Sequence, residues 1–181
     1  SLMALDSVEV PGSTINRYCA SGLESIAIAS AKITAGLADV IIAGGAETMS
    51  MINMGGWRQV PNPDAAFHHP KWFMGMGLTS EMVAREYNIS RESQDLFAVE
   101  SHEKALKAIA GGKFKEEIAS IEVKENYYES GKMKQRSLVF DTDEGPRKGT
   151  NLEGLSKLKP AFAANGTSTA GNSSQMSDGA A

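Results

Sequence analysis

Among 181 residues there is a single cysteine, Cys19. That excludes an intrachain disulfide, and with only His68, His69 and His102 beside it the chain cannot build an ordinary structural zinc cluster, so a reducing compartment is expected. Long apolar runs are also missing. The longest, within Ala38 to Gly45, is far shorter than the ~20 residues needed to cross a bilayer. No basic segment followed by an apolar one opens the chain, so no export signal is read there. Positive charge is in deficit: 18 Lys and Arg against 22 Asp and Glu leave a net charge of -4, with both signs mixed along the chain. A general attraction to nucleic acid or to an anionic membrane is thereby excluded. No internal repeat, low-complexity tract or phosphate-binding loop is present.

What is present is a soluble, globular composition, 41% hydrophobic, sufficient for one sizeable core or a core with a smaller subdomain. The two ends read as truncated. Ser1 to Leu5 has the look of the tail of an amphipathic helix, and Ser177 to Ala181 stops without a closing element. Residues 1–47 are poor in charge and rich in Ala, Ile, Val and Gly, as in elements buried from more than one side. Gly12 to Arg17, with Thr14 and Ile15, suits a strand. Leu23, Ile26, Ala27, Ile33 and Leu37 follow helical spacing, with Gly36 as the stop, and Val40 to Ala43 reads as a buried strand. Strand, helix, strand in that order favours a right-handed crossover and a parallel sheet.

Residues 48–165 differ in texture, holding five of the six prolines, both tryptophans and most of the charge, and are expected to form a separate subdomain. Residues 166–181 would return to the first core. Within the subdomain, Thr79 and Ser90 suit helix N-caps before Met82-Val83-Tyr87 and Leu96 to Ile109, the second helix stopped by Gly111-Gly112. Ile118, Ile121 and Val123 suggest a short strand. Thr150-Asn151-Leu152-Glu153 has capping-box spacing ahead of Leu155 and Leu158, with Pro160 ending the helix.

Cys19 falls at the turn between the expected first strand and the following helix. Unpaired backbone N–H groups and the positive end of the helix dipole favour a thiolate there, the form that attacks a thioester carbonyl, and the same N–H groups could cradle an oxyanion. Small Ala20, Ser21 and Gly22 leave the sulfur unobstructed. From position alone the alternative stays open that Cys19 is a small buried filler. Other signals fall away. Gly75-Met76-Gly77 lacks the strand and the last glycine of a dinucleotide loop, His68-His69-Pro70 lacks metal-ligand spacing, and Glu100 and Glu103 suit a solvated helix face.

The local sequence goes further. Asn16-Arg17-Tyr18-Cys19-Ala20-Ser21-Gly22-Leu23 resembles the nucleophile motif of the thiolase family, and Ala43-Gly44-Gly45-Ala46-Glu47-Thr48-Met49-Ser50 follows at the family's spacing. Met76 to Glu81 is similar to the family's loop segment beside the pantetheine arm, Ser90 to Ala98 to the helix start after it, and Thr169-Ala170-Gly171-Asn172-Ser173-Ser174 to the family's return into the core. The resemblance covers essentially the whole chain. It implies a layered α/β fold, incomplete here, with helices, a mixed sheet and an inserted α/β loop domain over coenzyme A.

By the same resemblance Cys19 is the catalytic nucleophile, Met76 packs on pantetheine, Ser174 bonds its amide, and Arg147 lies near the nucleotide end of the coenzyme. Ala170 counts among the coenzyme-binding positions. Taken as residues alone, Met76 also suits gap filling, Arg147 a solvated loop, and Ser174 a turn cap.

The implied reaction is thiolytic cleavage of a 3-ketoacyl-CoA through an acyl-Cys19 enzyme, or the reverse Claisen condensation, with coenzyme A as substrate and no resident cofactor or metal. Gly75 stands where biosynthetic acetoacetyl-CoA enzymes commonly have histidine, which leans the reading toward degradative enzymes of fatty acid β-oxidation. Homodimers or homotetramers, acyl-CoA thioester partners and no nucleic-acid or membrane partner are implied. The cytoplasm is the default location, with mitochondria or peroxisomes the alternative in a eukaryote. Two departures matter. The family takes its base from a histidine in a Gly-His-Pro type motif and a second acid/base from a Cys-x-Gly motif, and neither occurs in this sequence. The chain alone is therefore expected to be inactive. The competing readings are a ketoacyl synthase relative, an acetoacetyl-CoA-forming enzyme, and a noncatalytic coenzyme A-binding or split-subunit fragment.

Overall fold

Apolar periodicity over Leu23 to Ile33 and a left-handed glycine after it account for the most regular element near the start of the chain. This is helix α1, Ser21–Thr34. Gly36 has φ +70°. Its N–H bonds to the Ile33 carbonyl and the Leu37 N–H to the Lys32 carbonyl, the paired closure in which glycine carries no Cβ penalty.

The computed structural model describes residues 10–54, 56, 58 and 60–181. In chain order the elements are α1, β1 (Ala46–Glu47), α2 (Pro63–His68), a 3₁₀ turn (Pro70–Phe73), α3 (Met76–Glu86), α4 (Arg91–Ala110), β2 (Ile121–Glu129), β3 (Lys132–Phe140), α5 (Leu152–Ser156) and β4 (Gly179–Ala180). They fall into two compact units, Ser1–Asn62 with Met176–Ala181, and Pro63–Gln175. The expected helical tail at Ser1 to Leu5 lies outside the described residues.

In the first unit β1 and β4 pair antiparallel, Ala46 opposite Ala180. Asp178 accepts from the Ser50 N–H at 2.8 Å and from its hydroxyl, tying the turn after β1 to the end of the chain. The strands expected at Gly12–Arg17 and Val40–Ala43 do not form. The first is reduced to an isolated bridge between Arg17 and Cys19, and in the second Val40 and Ile42 are 84% and 78% exposed. The reason is physical: a strand exists through ladder bonds to a neighbour, and the described residues offer these segments none. The parallel crossover falls with them, since both sheets observed are antiparallel pairs. Nor is this region buried core, because among its described residues only Ala29 is buried while Leu23 and Ile26 on α1 are exposed.

In the second unit the Ser90 hydroxyl caps α4 by accepting from the Ser93 N–H at 3.1 Å, as its spacing predicts. Thr79 does not cap α3. The helix begins three residues earlier, after Gly75, and the Thr79 hydroxyl bonds back to the Gly75 carbonyl at 3.3 Å. Asn151 rather than Thr150 caps α5, accepting from the Gly154 N–H at 2.8 Å, while Thr150 turns to the Arg147 carbonyl at 3.0 Å. The short strand expected near Ile121 is one arm of a hairpin of two nine-residue strands closed by Ser130 and Gly131, both with positive φ, the two-residue turn whose twist matches the strands.

Apolar burial in this unit is small: Ala84 and Leu155 are buried, against Glu81, Asp95, Ser168 and Thr169 among polar residues. Those polar groups form a connected knot. The Glu81 carboxylate accepts from the N–H of Thr167 at 2.8 and 3.0 Å, from that of Ser168 at 2.8 Å, and from the Thr167 hydroxyl. Asp95, 3% exposed, accepts from Arg91 Nε at 2.8 Å and from Asn172 Nδ2 at 2.9 Å. Asn172 also takes the Thr169 N–H at 2.7 Å, and Arg91 Nη2 donates to the Leu155 carbonyl at 2.5 Å. Segment 160–172 is thus stapled to α3 and α4, and α4 to α5, by polar groups that are paired with one another.

Two outcomes follow from this knot. Asp95→Ala removes the buried acceptor shared by Arg91 Nε and the half-buried Asn172 amide, and is expected to cost about 2–4 kcal/mol in urea unfolding. Burial pushes the Glu81 carboxyl up, but its hydrogen bonds from Thr167 and Ser168 outweigh that and hold it below the ordinary 4.5. A lowered folded-state value gives stability that is present above pH 4.5 and lost as pH falls through the folded value. The stability gap between the protein and its Glu81→Gln variant should therefore narrow as pH drops below about 4.5, and a constant gap would contradict this.

Candidate functional site

Cys19 lies two residues before the first residue of α1, with Ala20 between as N-cap. The turn that presents it is held locally. Tyr18 has φ +49°, a left-handed conformation that is uncommon for a bulky side chain and costs on the order of 1 kcal/mol. Its N–H bonds to Asn16 Oδ1 at 2.8 Å. The Ser21 hydroxyl accepts from the Arg17 N–H at 2.8 Å and donates to the Tyr18 carbonyl at 2.6 Å, while the Ala20 and Ser21 N–H groups bond back to the Arg17 and Tyr18 carbonyls. Arg17 and Glu24 close the outside with an ion pair at 2.8 Å. These bonds over-determine the strained residue, so the chain reverses sharply and leaves Cys19 exposed at the helix start.

No side chain caps α1. The Ser21 N–H is taken by the Tyr18 carbonyl, so the N–H groups of Gly22 and Leu23 are the ones open to a ligand oxygen, as an oxyanion site beside a nucleophile requires. Arg17, Tyr18, Ala20 and Ser21 shape the turn through backbone and hydroxyl contacts, while the sulfur keeps a solvent-facing position.

The other sequence-predicted positions belong to the Pro63–Gln175 unit. Met76 opens α3 and is 63% exposed; its segment is helix rather than loop. The next residue, Gly77, lies so close to the ring of Phe162 that any Cβ would overlap it. That contact, the Ser80–Ser168 hydroxyl bond at 2.8 Å and the Glu81 anchor bring the start of α3 together with the segment carrying Ala170 and Ser174. Ala170 is exposed at the turn after the fully buried Thr169. Ser174 is exposed, its hydroxyl donating to the Gln175 carbonyl at 3.3 Å. Arg147 sits exposed in the loop before α5 and is linked to α4 through its N–H, which donates to His102 Nδ1 at 3.1 Å.

Two shallow clefts open in this unit, one between α4 and α5 around Ser90, Asp95, Leu96 and Leu152, the other around Glu81, Arg85, Ile89 and Thr167. Neither is lined by Met76, Arg147, Ala170 or Ser174. Among the described residues no cluster of metal-ligating side chains occurs. His69 stacks on Trp72 with centroids 4.3 Å apart, and His68 meets the edge of Phe67. No helix among the described residues is long and apolar enough to cross a membrane.

Residue patterns alone missed Glu81, Asn172 and His102. The Arg91 and Asp95 pair was legible as opposite charges four apart on a helix. Nothing in sequence spacing marks contacts made across 86, 77 or 45 residues.

The family model described as "Thiolase, N-terminal domain" matches residues 2–181. A 3-ketoacyl-CoA thiolase of Bacillus subtilis is 53% identical over 173 residues, covering 95% of this chain and 44% of the relative. A peroxisomal 3-ketoacyl-CoA thiolase of Arabidopsis thaliana is 45% identical over 173 residues, covering 94% of this chain and 38% of its own length. The crystal structure of the dimeric peroxisomal thiolase of Saccharomyces cerevisiae superposes with TM-score 0.82 at 34% identity, covering 99% of this chain and 44% of that one. The α/β fold is therefore one shared with solved thiolases. The chain spans less than half the length of these relatives.

The Cys19 turn makes its own prediction. Because Tyr18 is 74% exposed and strained, Tyr18→Gly should leave the first unit as stable or raise it by about 1 kcal/mol, whereas Ser21→Ala, which removes the hydroxyl shared by Arg17 and Tyr18, should lower it by about 1 kcal/mol. Chemical denaturation of the two variants checks the opposite signs.

Proposed function

The chain belongs to the thiolase family, and on that premise we propose that Cys19 is the acyl-accepting nucleophile of a thiolase, acting on 3-ketoacyl-CoA and coenzyme A. The observation that carries this is the turn at Arg17 to Ser21, which holds a strained Tyr18 and presents an exposed cysteine at an uncapped helix start. In the forward direction the Cys19 thiolate adds to the 3-keto carbon. The C2–C3 bond breaks, its electron pair passing to the thioester enolate, which takes a proton and leaves as acetyl-CoA. The acyl group stays on sulfur. Coenzyme A thiolate then attacks that acyl carbon and releases a shortened acyl-CoA and the free Cys19 thiolate, so two simple transfers replace one difficult cleavage. The open N–H groups of α1 supply hydrogen bonds to oxygen that gains charge in these steps.

The Pro63–Gln175 unit acts in this reading as the loop domain over the coenzyme, with Met76, Ala170 and Ser174 along pantetheine and Arg147 toward the nucleotide. The Gly77–Phe162 and Glu81–Ser168 contacts support this, because they join the segments that carry three of those residues. Coenzyme A enters as substrate, without a resident cofactor. Homo-oligomerisation is supported by the dimeric yeast neighbour. Both curated relatives above carry the 3-ketoacyl-CoA name, which favours the degradative reading over acetoacetyl-CoA formation.

Turnover also needs a base and a second acid, and Cys19 is the only cysteine in the 181 residues. Catalysis is therefore proposed for a polypeptide that carries the C-terminal half of its relatives, and not for this chain alone. Thiolysis of acetoacetyl-CoA or a longer 3-ketoacyl-CoA, followed at the thioester absorbance, tests both parts. The chain alone should show no turnover. Joined to the C-terminal half of the Bacillus subtilis relative it should turn over, and Cys19→Ala in that fusion should lower kcat at least ~10³-fold. A folded fusion with no thiolysis, or one indifferent to Cys19→Ala, would refute the proposal.

A further inference from the structure

His102 is a half-buried residue of α4 that plays no part in the chemistry above. Its Nδ1 accepts the backbone N–H of Arg147 at 3.1 Å, across 45 residues of sequence. An N–H donor at Nδ1 requires that nitrogen to carry no proton, so the ring is held in one tautomer with its hydrogen on Nε2. The other side of the same peptide segment is fixed as well. The Arg147 carbonyl accepts from the Thr150 hydroxyl at 3.0 Å, Gly145 N–H bonds to Asp143 Oδ1 at 2.9 Å, and Asn151 Nδ2 reaches the Gly149 carbonyl at 3.1 Å as Asn151 caps α5. The Arg147 backbone is therefore pinned from α4 on one side and from the start of α5 on the other. Its guanidinium remains exposed and makes no ion pair among the described residues.

A fixed backbone under a free cation is a positioning arrangement. An exposed arginine loses several rotatable bonds of freedom when it clamps an anion, and a loop that must also be ordered at that moment weakens binding further. We infer that His102 is a positioning residue for Arg147: by holding the Arg147 N–H it pre-orders the loop so that the guanidinium meets a phosphate of the coenzyme's nucleotide end. The inference rests on the coenzyme-binding reading above and adds a residue to it. His102 touches no part of the ligand and acts only through the loop.

Calorimetric titration of this chain with coenzyme A and with pantetheine, which lacks the nucleotide and its phosphates, separates the two claims. His102→Ala should weaken coenzyme A binding about five- to tenfold, the scale of one lost hydrogen bond and the ordering it provides, and leave pantetheine binding unchanged. His102→Asn, whose Oδ1 stands where Nδ1 did, should restore coenzyme A affinity to within about twofold. A structural role alone would weaken both ligands equally and would not be rescued selectively by asparagine. Equal loss for both ligands, no loss in His102→Ala, or no rescue in His102→Asn overturns the inference while the coenzyme reading stands. Wild-type protein that binds pantetheine but not coenzyme A overturns the phosphate role of Arg147 and this inference with it, and protein that binds neither overturns the coenzyme reading itself.

Discussion

The Glu81 carboxylate, closed in by the N–H groups of Thr167 and Ser168 and by the Thr167 hydroxyl, is the interaction on which the Pro63–Gln175 unit depends. An ionised group at 8% exposure is tolerable only with its lone pairs filled, and here the donors come from a segment 86 and 87 residues away. The same requirement propagates through Asp95, Arg91, Asn172 and Thr169, which share donors and acceptors until no buried side-chain nitrogen or oxygen among the described residues lacks a partner. Apolar contact adds precision rather than bulk: Phe162 covers Gly77, and Leu155 and Leu158 close on Gly171. Polar pairing of this kind is directional, so it fixes where segment 160–174 runs more tightly than a small hydrophobic patch could.

A similar logic works at smaller scale around Cys19. One hydroxyl, that of Ser21, both accepts from Arg17 and donates to Tyr18, and a left-handed Tyr18 is kept in place by bonds made by its neighbours. The strain is a property of the backbone, so it survives whatever the ring of Tyr18 does. The outcome is a sulfur on the solvent side of a sharp turn, next to helix N–H groups that no side chain occupies. Geometry of this kind suits a nucleophile that must admit an acyl carbon from outside and hold the oxygen that gains charge as it attacks.

Local signals in the sequence carried over well where the cause was local. Ser90 caps α4 and Gly36 ends α1 because both depend only on residues within a turn. Caps failed by small shifts: α3 starts at Met76 after an extended Gly75, leaving Thr79 inside the helix with its hydroxyl on the Gly75 carbonyl, and Asn151 displaced Thr150 because Thr150 found the Arg147 carbonyl. Strands at Thr14–Ile15 and Val40–Ala43 were misread because β-branched composition reports fitness for a sheet, whereas strand formation needs a partner. At the candidate site Cys19 was legible from its motif and helix-start position. Glu81, Asn172 and His102 were not, since their meaning lies in partners 45 to 87 residues distant, which no periodicity encodes.

The central claim is that the turn at Arg17 to Ser21 presents Cys19 as the atom that carries the acyl group. Peptide mass spectrometry on the fusion with a relative's C-terminal half, acid-quenched within its first turnovers on a 3-ketoacyl-CoA, reads this directly. The account predicts one acyl group per chain, on the peptide containing Cys19, removed by added coenzyme A. Acyl label on any other residue, or none on Cys19 while product accumulates, would contradict it.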